Sequence, residues 1–193
     1  LLISRLGSTA AASHQIMSNM GALLYMVPLS LSIATSARVS YWIGAAQPAK
    51  ARSALRQGFG WIVLCAVSTA ALLALFKTPI ARLYIQNEVV VDLASQLLGW
   101  LVWYQSVDAF QVFCFFMLRC YRVTILPMLI YALLLWGVGL TGGYALAYHG
   151  LPGMAPMMSP QAFWISSSSA LTVVSVSLGG LLLWVLRSRA RNG

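Results

Sequence analysis

Tyr104, Asp108 and Gln111 follow one another at i, i+4 and i+7, so on a helix they share one face, with Gln105 on the adjoining edge. A carboxylate beside a phenol and two carboxamides is an oxygen-rich donor set, suited to a proton or to a hard cation such as Na⁺. The surroundings make the carboxylate unusual. Asp108 lies near the middle of a long, mostly apolar tract, Glu88–Cys120, and the chain of 193 residues holds only three acids. The other two, Glu88 and Asp92, stand at the start of the same tract. A charge at the centre of a bilayer-length helix costs about 2.5–3.5 kcal/mol, and such residues mark ion or proton pathways by default. Proton and cation compete for one carboxylate, which is a physical route to coupled transport. The competing reading is structural, an Asp hydrogen-bonded between two helices.

A second polar patch lies near the start of the chain, where His14 and Ser18 are four apart, as are Gln15 and Asn19. Interhelical hydrogen bonding explains Ser18 and Asn19, at about 0.6 kcal/mol per bond. His14 is a weaker proton-shuttle candidate, since no carboxylate is near it in sequence. His14 and Asn19, with Gln105 and Gln111, are possible lining residues for the site centred on Asp108 and Tyr104. Met17, Met20 and Met26 suit an adaptable pocket. Trp103 and Trp136 could stack on an organic cation, although packing is the commoner fate of such residues. Cys65, Cys114 and Cys120 show neither metal-ligand spacing nor a disulfide framework and read as small apolar residues.

These residues require membrane-spanning helices to hold them. The chain is 60% hydrophobic and 8% charged, with mean hydropathy +0.82. A soluble domain carries roughly 25% charged residues. The expected fold is therefore an all-α integral membrane protein, a polytopic helical bundle. Five spans are expected, at Thr9–Val39, Gln57–Phe76, Val89–Leu118, Val123–Tyr148 and Ala162–Leu186. Pro28 gives the first a kink point. Tyr41, Trp42, Tyr84, Tyr148, Trp164 and Trp184 fall near span ends, as an interfacial belt would. Ser166–Ser169, Thr172, Ser175, Ser177 and Gly179–Gly180 give the last span a small-residue surface for close helix packing.

The net charge of +9 follows topology. Arg38, Lys50, Arg52, Arg56, Arg119, Arg122, Arg187, Arg189 and Arg191 fall on one side of the alternating spans, and Arg5, Lys77 and Arg82 on the other. The positive-inside rule puts the larger group and the C-terminus in the cytoplasm. Cations confined to span ends do not form a nucleic-acid footprint, so no nucleic-acid partner is expected. Trp42–Arg56 reads as a loop followed by an interfacial helical turn. Pro79–Asn87 and Gly150–Pro160 read as outer connections, with Asn87 capping the third span. Leu1–Gly7 reads as the end of an earlier span, so a fragment with a helix upstream is expected.

Several ordered segments resemble the MATE family of multidrug and toxic-compound extruders, in its NorM-like bacterial branch. They are residues 6–15 (LGSTAAASHQ), 25–31 (YMVPLSL), 37–44 (ARVSYWIG), 104–112 (YQSVDAFQV) and 118–122 (LRCYR). The resemblance implies most of the C-terminal six-helix bundle of a twelve-helix transporter, with residues 1–193 as a single membrane domain. It also implies that the N-terminal bundle is a partner absent from this sequence. It makes Asp108 the match to a cation-binding Asp and Tyr104 the match to a nearby aromatic, and it places a partner Glu before Leu1. The chain departs from the family at Cys120 and Ser40, both usually glycine. The implied function is Na⁺- or H⁺-coupled export of amphipathic, often cationic drugs. The setting would be a monomeric transporter of the bacterial inner membrane, with Asp108 as the Na⁺ ligand if sodium drives it and no further cofactor. A related non-drug transporter or lipid flippase is the alternative, as is a membrane scaffold subunit. An enzyme is not expected, because the chain has no His-Glu-x-x-His, no Gly-x-Ser-x-Gly and too few intramembrane acids for an aspartyl dyad.

Overall fold

The computed structural model describes residues 8–84, 88–145 and 160–191. In chain order these form α1 (Ser8–Gly44), α2 (Pro48–Tyr84), α3 (Glu88–Cys120), α4 (Ile125–Ala132), a π-helical run Leu133–Leu140, α5 (Thr141–Tyr144) and α6 (Pro160–Arg191). The described residues contain no strand. Five stretches are long and apolar enough to cross a membrane: Ser18–Gly44, Pro48–Phe76, Leu98–Cys120, Ile125–Tyr144 and Trp164–Arg189. Helices are the form in which a lipid-embedded segment satisfies its own backbone.

Two expected connections are shorter than the sequence suggested. The loop anticipated over Trp42–Arg56 contracts to Ala45–Gln47, because α1 runs on to Gly44 and α2 starts at Pro48. Proline suits that first helical position, where its missing N–H is not needed. The basic segment after it is therefore the opening of α2 and not a separate interfacial turn. Ala46 makes this tight reversal with a φ of 54°. Pro79, expected in a connection, lies inside α2, which continues to Tyr84. In membrane helices, neighbouring groups re-satisfy the carbonyl that a proline frees. Pro160, expected in the following outer loop, opens α6. Asn87, Leu1–Gly7 and the stretch from Gly150 to Ser159 lie outside the described residues.

The fourth span changes character along its length. It starts at Ile125, passes Pro127 in its first turn and widens into the π-helical run, which contains Gly137 and Gly139. There the Ser166 hydroxyl of α6 donates to the Gly139 carbonyl at 2.9 Å. A Cβ on Gly142 would stand 2.7 Å from that same Ser166 oxygen. Ser166, with Ser175, whose hydroxyl donates to the Val107 carbonyl of α3 at 3.1 Å, thus bonds α6 to its neighbours, while Ser169 and Ser177 bond their own helix on exposed faces.

α3 is the hub, packing against α1, α2 and α6. Within its spanning window 56% of residues are buried, against 11% for α2, which places α3 inside the bundle and α2 on its rim. Phe113, Met117 and Leu118 of α3 meet Val39 of α1, Ile62 of α2 and Val174 and Leu178 of α6. The α1–α2 crossing is close at Gly58, where an added Cβ would lie 2.3 Å from Thr35 Cγ2.

The tight turns gather the basic residues at one end of the bundle. Arg52 and Arg56 of α2 lie beside Arg187 of α6. Lys50 Nζ sits 4.6 Å from the centre of the Trp42 ring. Cys120 and Ser40 meet here: Cys120 Sγ lies 3.4 Å from the Ser36 carbonyl and 3.2 Å from that of Phe116, within interaction range of Ser40. Close packing between α1 and α3 at this end is kept with side chains in contact.

Candidate functional site

The polar face predicted on α3 is real and turned inward. Gln105, Asp108 and Gln111 are 2%, 9% and 7% exposed, in a chain whose lipid-compatible surface is otherwise apolar. They open onto a cavity of about 630 Å³ between α1, α3, α4 and the start of α6. Such a volume is in the range of small-molecule sites.

Three tyrosines converge on the carboxylate. Tyr104 comes from the same helix, Tyr25 from α1 and Tyr131 from α4, and all three line the cavity within electrostatic reach of Asp108. Carboxylate, phenol and carboxamide oxygens from three helices form a donor set that fits a small hard cation or a proton. Among the described residues no three His, Cys, Asp or Glu side chains come together, so a transition-metal site has no support there.

Aromatic and flexible side chains wall the rest of the cavity: Phe115 and Phe116 of α3, Met128 of α4 and Trp164 of α6. Trp164, read from the sequence as a residue near a span end, stands at the start of its span and also joins two parts of the site. Its Nε1–H donates to His14 Nδ1 at 3.3 Å. Its ring stands edge-on to Tyr104, with centroids 5.4 Å apart and an interplanar angle of 83°. Because Nδ1 accepts from Trp164, the neutral imidazole carries its proton on Nε2, which faces Ser18 Oγ at 3.3 Å. Ser18 in turn lines the cavity. His14 is therefore connected to the site through Ser18 and Trp164 and does not line it directly.

Other sequence candidates fall elsewhere. Asn19 accepts from Gln15 Nε2 at 2.9 Å on an exposed face and is not part of the cavity wall. Met20 and Met26 do not line it either, and Met128 supplies the thioether. The Met17 side chain lies outside the described residues. Trp136 is exposed, and Trp103 is an exposed residue whose Nε1–H donates to Thr172 Oγ1 at 3.3 Å. Tyr131 and Trp164 were invisible as site residues because only the fold brings α4 and α6 to Asp108. Tyr25 had one signal, its place in the segment 25–31.

The family model MatE matches residues 1–145, and so includes Asp108 and the three tyrosines. The chain belongs to the MatE family. Its MatE relatives include the probable multidrug resistance protein NorM of Aromatoleum aromaticum, 38% identical over 97% of this chain. They also include the multidrug resistance protein MdtK of Proteus mirabilis, 36% identical over 97%, and NorM of Vibrio vulnificus, 37% identical over 97%. The chain spans 40–41% of the length of these MatE relatives.

Proposed function

We propose that the chain is part of a cation-coupled exporter of amphipathic, cationic organic compounds, in which Asp108 binds the coupling ion. The observation that carries this reading is a nearly buried carboxylate facing an aromatic-walled cavity between spanning helices. The names of the MatE relatives support drug export. The site supports coupling on physical grounds. An organic cation is attracted both by the carboxylate and by the faces of Tyr, Phe and Trp rings. Na⁺ or H⁺ is attracted chiefly by the carboxylate, with phenol and carboxamide oxygens as its further partners. When the ion neutralises Asp108 the electrostatic part of drug binding is lost, and the drug leaves. Exchange is vectorial only if the ion favours one conformation over the other.

In this reading residues 1–193 form most of the C-terminal bundle of a monomeric twelve-helix transporter in the bacterial inner membrane. The basic end and the C-terminus face the cytoplasm, in line with the positive-inside rule. Tyr104 holds the ion with Asp108, Gln105 and Gln111 orient the carboxylate, and His14 acts through Trp164. The test is drug efflux from proteoliposomes under imposed Na⁺ or pH gradients, with the protein expressed from its full reading frame. Efflux that follows one gradient identifies the ion. Efflux that follows neither removes coupling from the proposal.

A further inference from the structure

The face of α3 opposite Asp108 carries a second feature. Here α2 and α6 both lean on α3 but hardly on each other, which leaves a groove floored by Phe110, Phe113 and Cys114. At the basic end the groove opens into a pocket of about 200 Å³ holding Arg52, Arg56 and Arg187. Deeper in the bundle it continues as an apolar trough of about 290 Å³. The two share Leu55, Arg56, Leu183 and Leu186, so a cationic mouth adjoins a hydrocarbon interior.

The trough is built and not incidental. Phe59 stands tilted and edge-on to Phe113 and Phe110, with centroids 5.8 and 6.0 Å apart. Gly179 gives the Phe110 ring its place, since an added Cβ would lie 3.1 Å from two ring carbons. The mouth is unbalanced in charge. Neither α2 nor α6 contains an acidic residue, and the three acids of the chain are all on α3, none of them at this end.

We infer that this groove binds an anionic phospholipid, its phosphate held by Arg52, Arg56 and Arg187 and one acyl chain lying along the trough. Guanidinium groups match phosphate oxygens in bidentate pairs, and a basic pocket between helices at the membrane surface is the form such lipid sites take. A lipid fits both halves of the groove at once. A free phosphate would use only the mouth, and a zwitterionic lipid would bring its own cation up against the arginines. The inference does not depend on the transport reading, because the groove and the Asp108 cavity lie on opposite faces of α3.

The experiment is native mass spectrometry of the delipidated protein, expressed from its full reading frame. It is titrated with phosphatidylglycerol, with phosphatidylcholine of the same acyl chains, and with glycerophosphate. Phosphatidylglycerol should bind at least tenfold more tightly than either of the others. Each arginine near the surface contributes about fivefold, equivalent to about 1 kcal/mol, so Arg56→Gln with Arg187→Gln should weaken binding about 25-fold. The double Lys variant should stay within about fivefold of the unaltered protein, since its charge is kept. Arg38→Gln, at the same end but outside the groove, should change nothing. Leu183→Trp fills the trough without altering charge and should weaken phosphatidylglycerol binding, which tests the interior even if the Gln variant fails to fold. Equal binding of the two lipids overturns the inference. So does glycerophosphate binding as tightly as the lipid, or no lipid binding at all because another segment of the protein fills the groove.

Discussion

Asp108→Asn is the substitution that separates an ion site from a structural carboxylate, because the two roles predict opposite signs. The side chains are isosteric, and Asn keeps a carbonyl oxygen for Tyr25, Tyr104 or Tyr131, all of which line the same cavity. What is removed is the charge. A cation 4 Å from a carboxylate, at an effective dielectric of about 20, is attracted by about 4 kcal/mol. If two-thirds of that is returned to dehydrating the ion, about 1.4 kcal/mol remains, a factor of about ten in cation binding. Folding should not suffer in parallel. At 9% exposure Asp108 keeps little solvent, and a neutral amide costs less to bury than a carboxylate. The variant should therefore reach the membrane in normal amount and unfold at the same or a higher temperature, while losing at least about tenfold of its cation-driven efflux. The assay is dye efflux from proteoliposomes at matched protein content, over a range of Na⁺ and pH, together with thermal unfolding in detergent. Normal efflux with unchanged ion dependence would refute the coupling role. A drop in unfolding temperature with loss of abundance would refute it too, and would make Asp108 a helix-bridging residue.

Other perturbations probe the frame around the site. Trp164→Phe keeps the ring against Tyr104 but removes the donor to His14, and should cost about 1 kcal/mol in stability by thermal unfolding. Trp164→Ala removes both contacts and should weaken binding of an aromatic cation further, as read by fluorescence titration. Gly58→Ala drives a Cβ into Thr35 and should destabilise by about 1–3 kcal/mol, with partial recovery in Gly58→Ala/Thr35→Ala, because the Cβ of residue 35 remains 2.9 Å away. Additive losses in the double variant would mean that the α1–α2 contact is not the cause. Ala46→Gly relieves a left-handed residue in the α1–α2 turn and should raise the unfolding temperature, by the equivalent of about 1 kcal/mol. An unchanged or lower temperature would show that the turn is not strained.

The helices were legible because lipid enforces one rule on every span, and the polar face of α3 was legible because helical spacing is local. Tyr104, Gln105, Asp108 and Gln111 sit at spacings that any helix must bring together. The central position of α3 was harder to read. It is apolar nearly all round, so hydrophobic periodicity gives little sign of which side faces the core, and only its polar residues mark the inner face. Of the partners of Asp108 on other helices, only Tyr25 left a sign in the sequence, its place in the segment 25–31. Trp164 looks like an interfacial Trp by its position near a span end, and its bond to His14 depends on α6 returning beside α1. Boundaries failed at prolines, where the rules of soluble helices end a helix and the bundle carries Pro79 through.

The location of the carboxylate also explains how the bundle tolerates it. α3 touches three other helices, so Asp108 is nearly buried among protein groups, and Tyr25 and Tyr131 are brought to its cavity by α1 and α4. A carboxylate on α2, whose window is 11% buried, would have no such neighbours. Its cost would then be near the full insertion value of about 2.5–3.5 kcal/mol. The same hub position gives α3 its second face, where Phe110 and Phe113 floor the groove. Asp108 and Phe110 stand two residues apart on one helix and point into different spaces, one lined by tyrosines and carboxamides, the other almost wholly apolar and bordered by Arg56. A rotation or shift of α3 that altered the Asp108 cavity would necessarily move the floor of the groove, because a helix of packed side chains turns as a unit. In the proposed reading both ligands act on one rigid element, and linkage is reciprocal: if each prefers one position of α3, the lipid changes ion affinity by the same factor as the ion changes lipid affinity.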